Sequence, residues 1–167
     1  MKTAEKMVPY EVYGPFEVEV DDITVRGGRK RWWGQETRSN LRSRKGCYVF
    51  AIRDKNEFTP IYIGKTEGKF EYAVFNKWNI DNMSGVLGKH TGTLALYLVS
   101  TKGTKPLRHH IDGIETWLIQ QAMKQNPNLL NIQKKKHWCI PGVVNCEEKP
   151  VSDSAKHLAK TLNLNCK

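Results

Sequence analysis

Hydrophobic and polar positions alternate most regularly at residues 15–20, where Phe16, Val18 and Val20 are separated by Glu17 and Glu19. A period of two predicts a strand with one buried face. Two runs that are apolar on both faces follow, at residues 46–52 and 60–64, joined by the polar link RDKNEFT. Rich in Val, Ile, Tyr and Phe, they predict an antiparallel hairpin of strands covered by other layers on both sides. By alternation Tyr48, Phe50 and Ile52 share one face and Cys47, Val49 and Ala51 the other, and Tyr62 is expected opposite Ile61 and Ile63. TLALYLVS, residues 93–100, reads as a third central strand. The longest helical period covers residues 107–124, where Leu107, Ile111, Ile114, Leu118 and Ala122 form one apolar stripe before Gln125, Asn126 and Pro127 end it. Shorter helices are predicted over residues 33–41 and 69–78, and the Asn-, Gly- and Ser-rich residues 79–93 read as a loop. In the tail, residues 138–144 read as a short strand, and Ser152 caps a last helix carrying Leu158 and Leu162. Together these give an α/β (α+β) fold: a small mixed or antiparallel central sheet flanked by helices.

With 167 residues, the chain is long enough for one domain with a sizeable core. It holds no apolar run long enough to span a bilayer, and its first residues lack the apolar stretch of a secretory signal. The expectations are therefore no membrane partner and a cytoplasmic location. Cys47, Cys139, Cys146 and Cys166 form no CxxC pair, so a structural zinc module is not expected, and Cys47 reads as a small core residue. The formal net charge of +10 changes the picture more, because such a surplus favours polyanions, chiefly nucleic acid. Much of it lies in residues 26–45, where Arg and Lys interleave with Trp32 and Trp33. Arg29, Lys30 and Arg31 are candidate nucleic-acid contacts, since cations hold phosphates and aromatic rings stack on bases. The plainer reading is a solvated loop whose tryptophans plug the edge of the core. Lys77, His90 and His109 are further candidates; the two histidines read equally as surface residues, and His90 also as a proton-transfer group.

One acidic residue breaks the apolar stripe of the long helix. At 3.6 residues per turn, Glu115 falls between Ile111, Ile119 and Ala122, and Asp112 sits at the stripe's edge. An inward carboxylate is costly unless it is paired or binds a metal. Glu115 is thus either a metal ligand or one half of a buried salt bridge.

The order of these residues resembles that of the GIY-YIG nuclease family. Gly46-Cys47-Tyr48 stands where the family has its first triplet, with Cys in place of Ile, and Tyr62-Ile63-Gly64 matches the second. A glutamate on a helix after the third strand and an asparagine beyond that helix complete the pattern. Glu115 and Asn131 fit, with Asn128 as a competitor for the latter. The resemblance covers residues 46–133, leaving 1–45 as an N-terminal extension and 134–167 as a C-terminal strand-helix extension. The family also places an arginine on the helix after the second triplet. None is present at residues 69–78, which leaves Lys65 or Lys69 to supply that cation.

What the resemblance implies is a metal-dependent endonuclease that hydrolyses DNA, most readily double-stranded. Tyr48 would act as general base or position the attacking water, and Tyr62 would bind the phosphate or assist Tyr48. Glu115 would hold one Mg²⁺ or Mn²⁺, Asn131 would fix the geometry, and Gly64 would lie beside the nucleic acid. Two alternatives stay open: a nucleic-acid-binding protein that keeps the fold without the activity, and a basic interaction protein in which the tyrosine triplets are coincidental.

Overall fold

The computed structural model describes residues 10–101, 108–131 and 153–162. Four strands, β1 (Tyr10–Val18), β2 (Gly46–Asp54), β3 (Glu57–Thr66) and β4 (Thr93–Thr101), form one sheet in the order β1-β4-β2-β3, with every neighbouring pair antiparallel. The helices are α1 (Val20–Thr24), α2 (Arg26–Gly34), α3 (Glu36–Ser39), α4 (Phe70–Ala73), α5 (Lys77–Leu87), α6 (Arg108–Gln125) and α7 (Asp153–Thr161). The fold is α+β, and of the two sheet types expected it is the antiparallel one.

The two inner strands carry the nearly unbroken apolar runs because both of their faces are covered. On one face, Tyr48, Phe50, Ile52, Leu94, Leu96 and Leu98 pack under α1, α2, α4 and α5. On the other, Cys47, Val49, Ala51, Tyr97 and Val99 pack under α6 and α7 through Ile111, Ile114, Leu118, Leu158 and Leu162. Among the described residues, no helix is long and apolar enough to cross a membrane.

Several local expectations need correction. The hairpin strands run on through RDKNEFT to a tight turn at Lys55 and Asn56, with Lys55 at φ +54°. A bulge then shifts the register: Phe50 pairs with Tyr62 but Ala51 with Pro60, so Ile61 is the extra residue. Ile61 consequently joins Tyr62 on the Tyr48 face, and Ile63 alone goes to the other. The helix expected over 69–78 is two helices, and the loop expected over 79–93 is mostly α5. Asn76 caps α5, its side chain accepting from the Asn79 amide at 2.8 Å, and burial of Ile80 and Met83 supplies what the helix-poor composition lacks. Val20 begins α1 rather than ending the first strand, and the helix expected over 33–41 is split between α2 and α3 at Gln35. The predicted strand at 138–144 and the cap at Ser152 lie outside the described residues, whereas the last helix is present as α7.

Candidate active site

Two glycines let the tyrosine-bearing strands approach as they do. Gly46 opens β2 at φ +148°, and a Cβ there would run into the Val99 carbonyl of β4. Gly64 lies directly across from Tyr48 in the ladder, and a Cβ there would collide with the Tyr48 ring. The phenol therefore lies across the β3 backbone because position 64 has no side chain. Tyr48 is 3 % exposed, with its ring against Phe50 at 5.9 Å and Tyr62 at 6.2 Å. Tyr62 is half-buried, and the exposed Trp78 covers it at 5.1 Å.

The Tyr48 oxygen accepts a hydrogen bond from Asn79 Nδ2 at 3.1 Å. Asn79 is fixed by two more bonds from the same nitrogen, to the Ala73 and Val74 carbonyls, and its buried Oδ1 has no partner among the described residues. Burial pushes the Tyr48 pKa above the ordinary value of a phenol; Asn79 and the neighbouring Tyr62 pull it down, and the charge of Glu115 pushes it up again. Burial likewise raises Tyr62, with Tyr48 and Glu115 adding to the rise. The field of Glu115 on α6 thus reaches both phenols on the neighbouring strands.

Glu115 is 9 % exposed. Lys65, the residue after Gly64, hydrogen-bonds Asp112 and lies 3.9 Å from Glu115. Lys65, one of the two lysines expected to supply the cation in place of an arginine, is therefore engaged with the acids of α6. Arg108 adds an ion pair to Glu67 at 3.1 Å and approaches Asp112 at 4.0 Å. Asn131, 7 % exposed, pairs with the open edge of β3: Ile63 N–H donates to its Oδ1 at 3.0 Å, and its Nδ2 donates to the Ile63 carbonyl at 2.7 Å. Leu130 N–H and the Asn126 amide bond to the Ile61 and Pro60 carbonyls in the same way. Asn131 thereby holds the residue between Tyr62 and Gly64, and the segment after α6 covers an edge that would otherwise be exposed.

Tyr48, Tyr62, Gly64, Lys65 and Glu115 are thus brought together, with Asn131 bracing them from behind. Lys69 lies apart, ion-paired with Glu71 at 3.6 Å and 5.7 Å from the Tyr72 ring. Lys77, at the first position of α5, His90, just after α5, and His109, near the start of α6 against His110, are all exposed. The basic, tryptophan-containing segment divides. Trp32 and Trp33 are both in the core, and Arg38 is buried with its guanidinium 4.0 Å from the Trp32 ring. Arg29 and Lys30 line a groove of about 460 Å³ between α2 and α4, and Arg31 is exposed outside it.

Sequence reasoning missed Asn79 and Trp78. The signal for Asn79 was Asn76: read as a cap, it starts a helix at position 77 and turns Asn79 inward on the first turn.

Glu115 and Asp112 share the Lys65 ammonium, which is the salt bridge expected as the alternative to a metal ligand at Glu115. Among the described residues, no group of three or more His, Cys, Asp or Glu could hold a metal. A donor set of one or two carboxylates fits Mg²⁺ or Mn²⁺, which keeps its waters and binds substrate phosphate, and does not fit an all-protein cage. In comparisons with known proteins, no family model, no curated protein and no solved structure matches the chain.

Proposed function

We propose that this chain is a metal-dependent endonuclease that hydrolyses DNA phosphodiester bonds through a site of the GIY-YIG type. The observation that carries the reading is the Tyr48 phenol lying over Gly64 beside Tyr62, with the adjoining Lys65 3.9 Å from Glu115. A buried carboxylate paired with a lysine, next to a phenol that crosses the neighbouring strand, is an arrangement of the kind found at functional sites.

Hydrolysis needs an attacking water, a sink for charge in the transition state and help for the leaving oxygen. The Tyr48 oxygen receives a donor, Asn79 Nδ2, so its own proton is directed elsewhere. That donor also stabilises its phenolate, the form that takes a proton from water. Tyr62 holds Tyr48 in place and presents its ring edge beside Trp78. Lys65 supplies positive charge next to Gly64, the position over which the Tyr48 phenol lies. Glu115, with Asp112 near, would hold the divalent ion, which when bound supplies Lewis-acid stabilisation of the leaving oxygen. The DNA partner is supported by the charge surplus and by the cations of α2.

The test is cleavage of supercoiled plasmid by the purified chain with Mg²⁺ or Mn²⁺, beside Glu115→Ala. Metal-dependent nicking that the variant loses at least about a hundredfold supports the reading. No cleavage by the wild type with any divalent ion, or equal cleavage by the variant, refutes it. DNA binding that weakens with salt, needs no metal and survives Glu115→Ala would instead select the binding-protein reading.

A further inference from the structure

The groove between α2 and α4 carries chemistry that the cleavage site does not use. Arg26, Arg29, Lys30 and Arg42 line it, against Glu71 as the opposing acid. Glu71 approaches Arg42 at 4.0 Å, so a surplus of positive charge remains. The groove is built rather than incidental. Arg29 Nη1 donates to the Phe75 carbonyl at 3.0 Å, which fixes that cation, and Phe70 and Glu71 N–H bond to the Arg44 and Arg42 carbonyls, which fixes the wall.

Two aromatic residues of the lining are unusual. Trp33 is 4 % exposed, yet its indole N–H has no acceptor among the described residues. That nitrogen is itself buried, so Trp33 forms the floor of the groove and is not a hydrogen-bond contact for its occupant. Tyr72 is 71 % exposed, among the most exposed large aromatics that the structure describes. Cations and an open ring together match a phosphate with an unstacked base beside it.

The exposed Tyr72 ring favours an unpaired strand, because only an unstacked base can lie on it. The groove, of about 460 Å³, takes a group the size of a nucleotide. Position links it to the cleavage site. Asn76 lines the groove and caps α5; Trp78 against Tyr62 and Asn79 on Tyr48 follow within the same turn.

We propose that this groove holds an unpaired DNA strand, one phosphate on its cations and one base on Tyr72, so that the protein selects substrates carrying a single-stranded flap or overhang. The inference rests on the nuclease reading for its meaning, but its test does not need cleavage. Fluorescence anisotropy on the full chain in EDTA compares a labelled oligothymidylate, a blunt duplex, and the same duplex with an overhang. The oligothymidylate and the overhang bind at least about fivefold more tightly than the blunt duplex. Arg26→Glu with Lys30→Glu weakens the oligothymidylate about tenfold and flattens its salt dependence. Tyr72→Ala weakens it about fivefold and leaves the blunt duplex unchanged. All three positions are exposed, and an unchanged thermal transition shows that the variants are folded. Equal affinity for blunt and overhanging duplex, or oligothymidylate binding that neither variant alters, overturns the proposal. A wild type inactive with every divalent ion that still shows the groove-dependent preference overturns the nuclease reading alone. An active enzyme whose single-strand binding ignores both variants overturns this inference alone.

Discussion

Tyr48 and Tyr97 occupy neighbouring strands, sit equally deep and point to opposite faces of the sheet. Burial raises the pKa of both, that of Tyr97 to about 12. Depth and a perturbed phenol therefore do not distinguish them; their surroundings do. The Tyr97 hydroxyl meets His157 Nδ1 at 3.0 Å and Thr161 Oγ1 at 3.1 Å, both on α7. Those partners close a network that fastens a helix to the sheet. The Tyr48 hydroxyl accepts from Asn79 and lies in the field of a buried carboxylate, and its ring fills the place that Gly64 leaves on the neighbouring strand. Packing accounts for the first environment, and the proposed chemistry is assigned to the second.

Substitutions should separate the two tyrosines. Tyr48→Phe lowers metal-dependent cleavage at least about a hundredfold with little change in the thermal transition. Because the Tyr48 pKa is raised and its deprotonated form is the base, the wild-type rate climbs about tenfold per pH unit from neutral into the alkaline range, and a pH–rate profile checks this. A flat profile would remove Tyr48 as the base. Gly64→Ala forces the Tyr48 ring off β3; denaturant unfolding should show a loss of about 1–3 kcal/mol, and cleavage should fall at least about tenfold.

Tyr97→Phe gives the smallest effect on function: cleavage is unchanged, while stability falls by about 1–2 kcal/mol. It also alters the response to alkali. Tyr97 in the folded chain holds its proton up to about 12, whereas an unfolded tyrosine releases it near 10. Its stabilisation is complete below pH 10 and is lost as pH rises through 12, so the variant loses part of that alkaline decline in denaturant titrations at pH 9 and pH 11.

Legibility in the sequence followed the physics of each segment. The inner strands and α6 were readable because burial on two faces, or along one stripe, leaves a strong pattern in the apolar positions. Glu115 was readable for the same reason, as the charge that interrupts that stripe. Alternation misplaced Ile61 because one bulge residue shifts every side chain beyond it, and bulges leave no mark in hydropathy. α5 was hidden because its Asn, Ser and Gly residues favour turns, and a cap with two buried side chains overrides them. The engagement of Lys65 by Asp112 and Glu115 was out of reach, since it depends on how β3 and α6 are juxtaposed. The sorting of the α2 cations from Arg38 and the tryptophans likewise required the packed aromatic cluster.

The central claim is that Tyr48 and Glu115, from different elements, act as one catalytic unit. Its most direct measurement is the Mg²⁺-dependent cleavage rate of wild type, Tyr48→Phe, Glu115→Gln and the double variant. Groups that act together are strongly non-additive, so each single variant should be nearly as slow as the double. Losses that multiply independently, or a Tyr48→Phe rate equal to wild type, would contradict it.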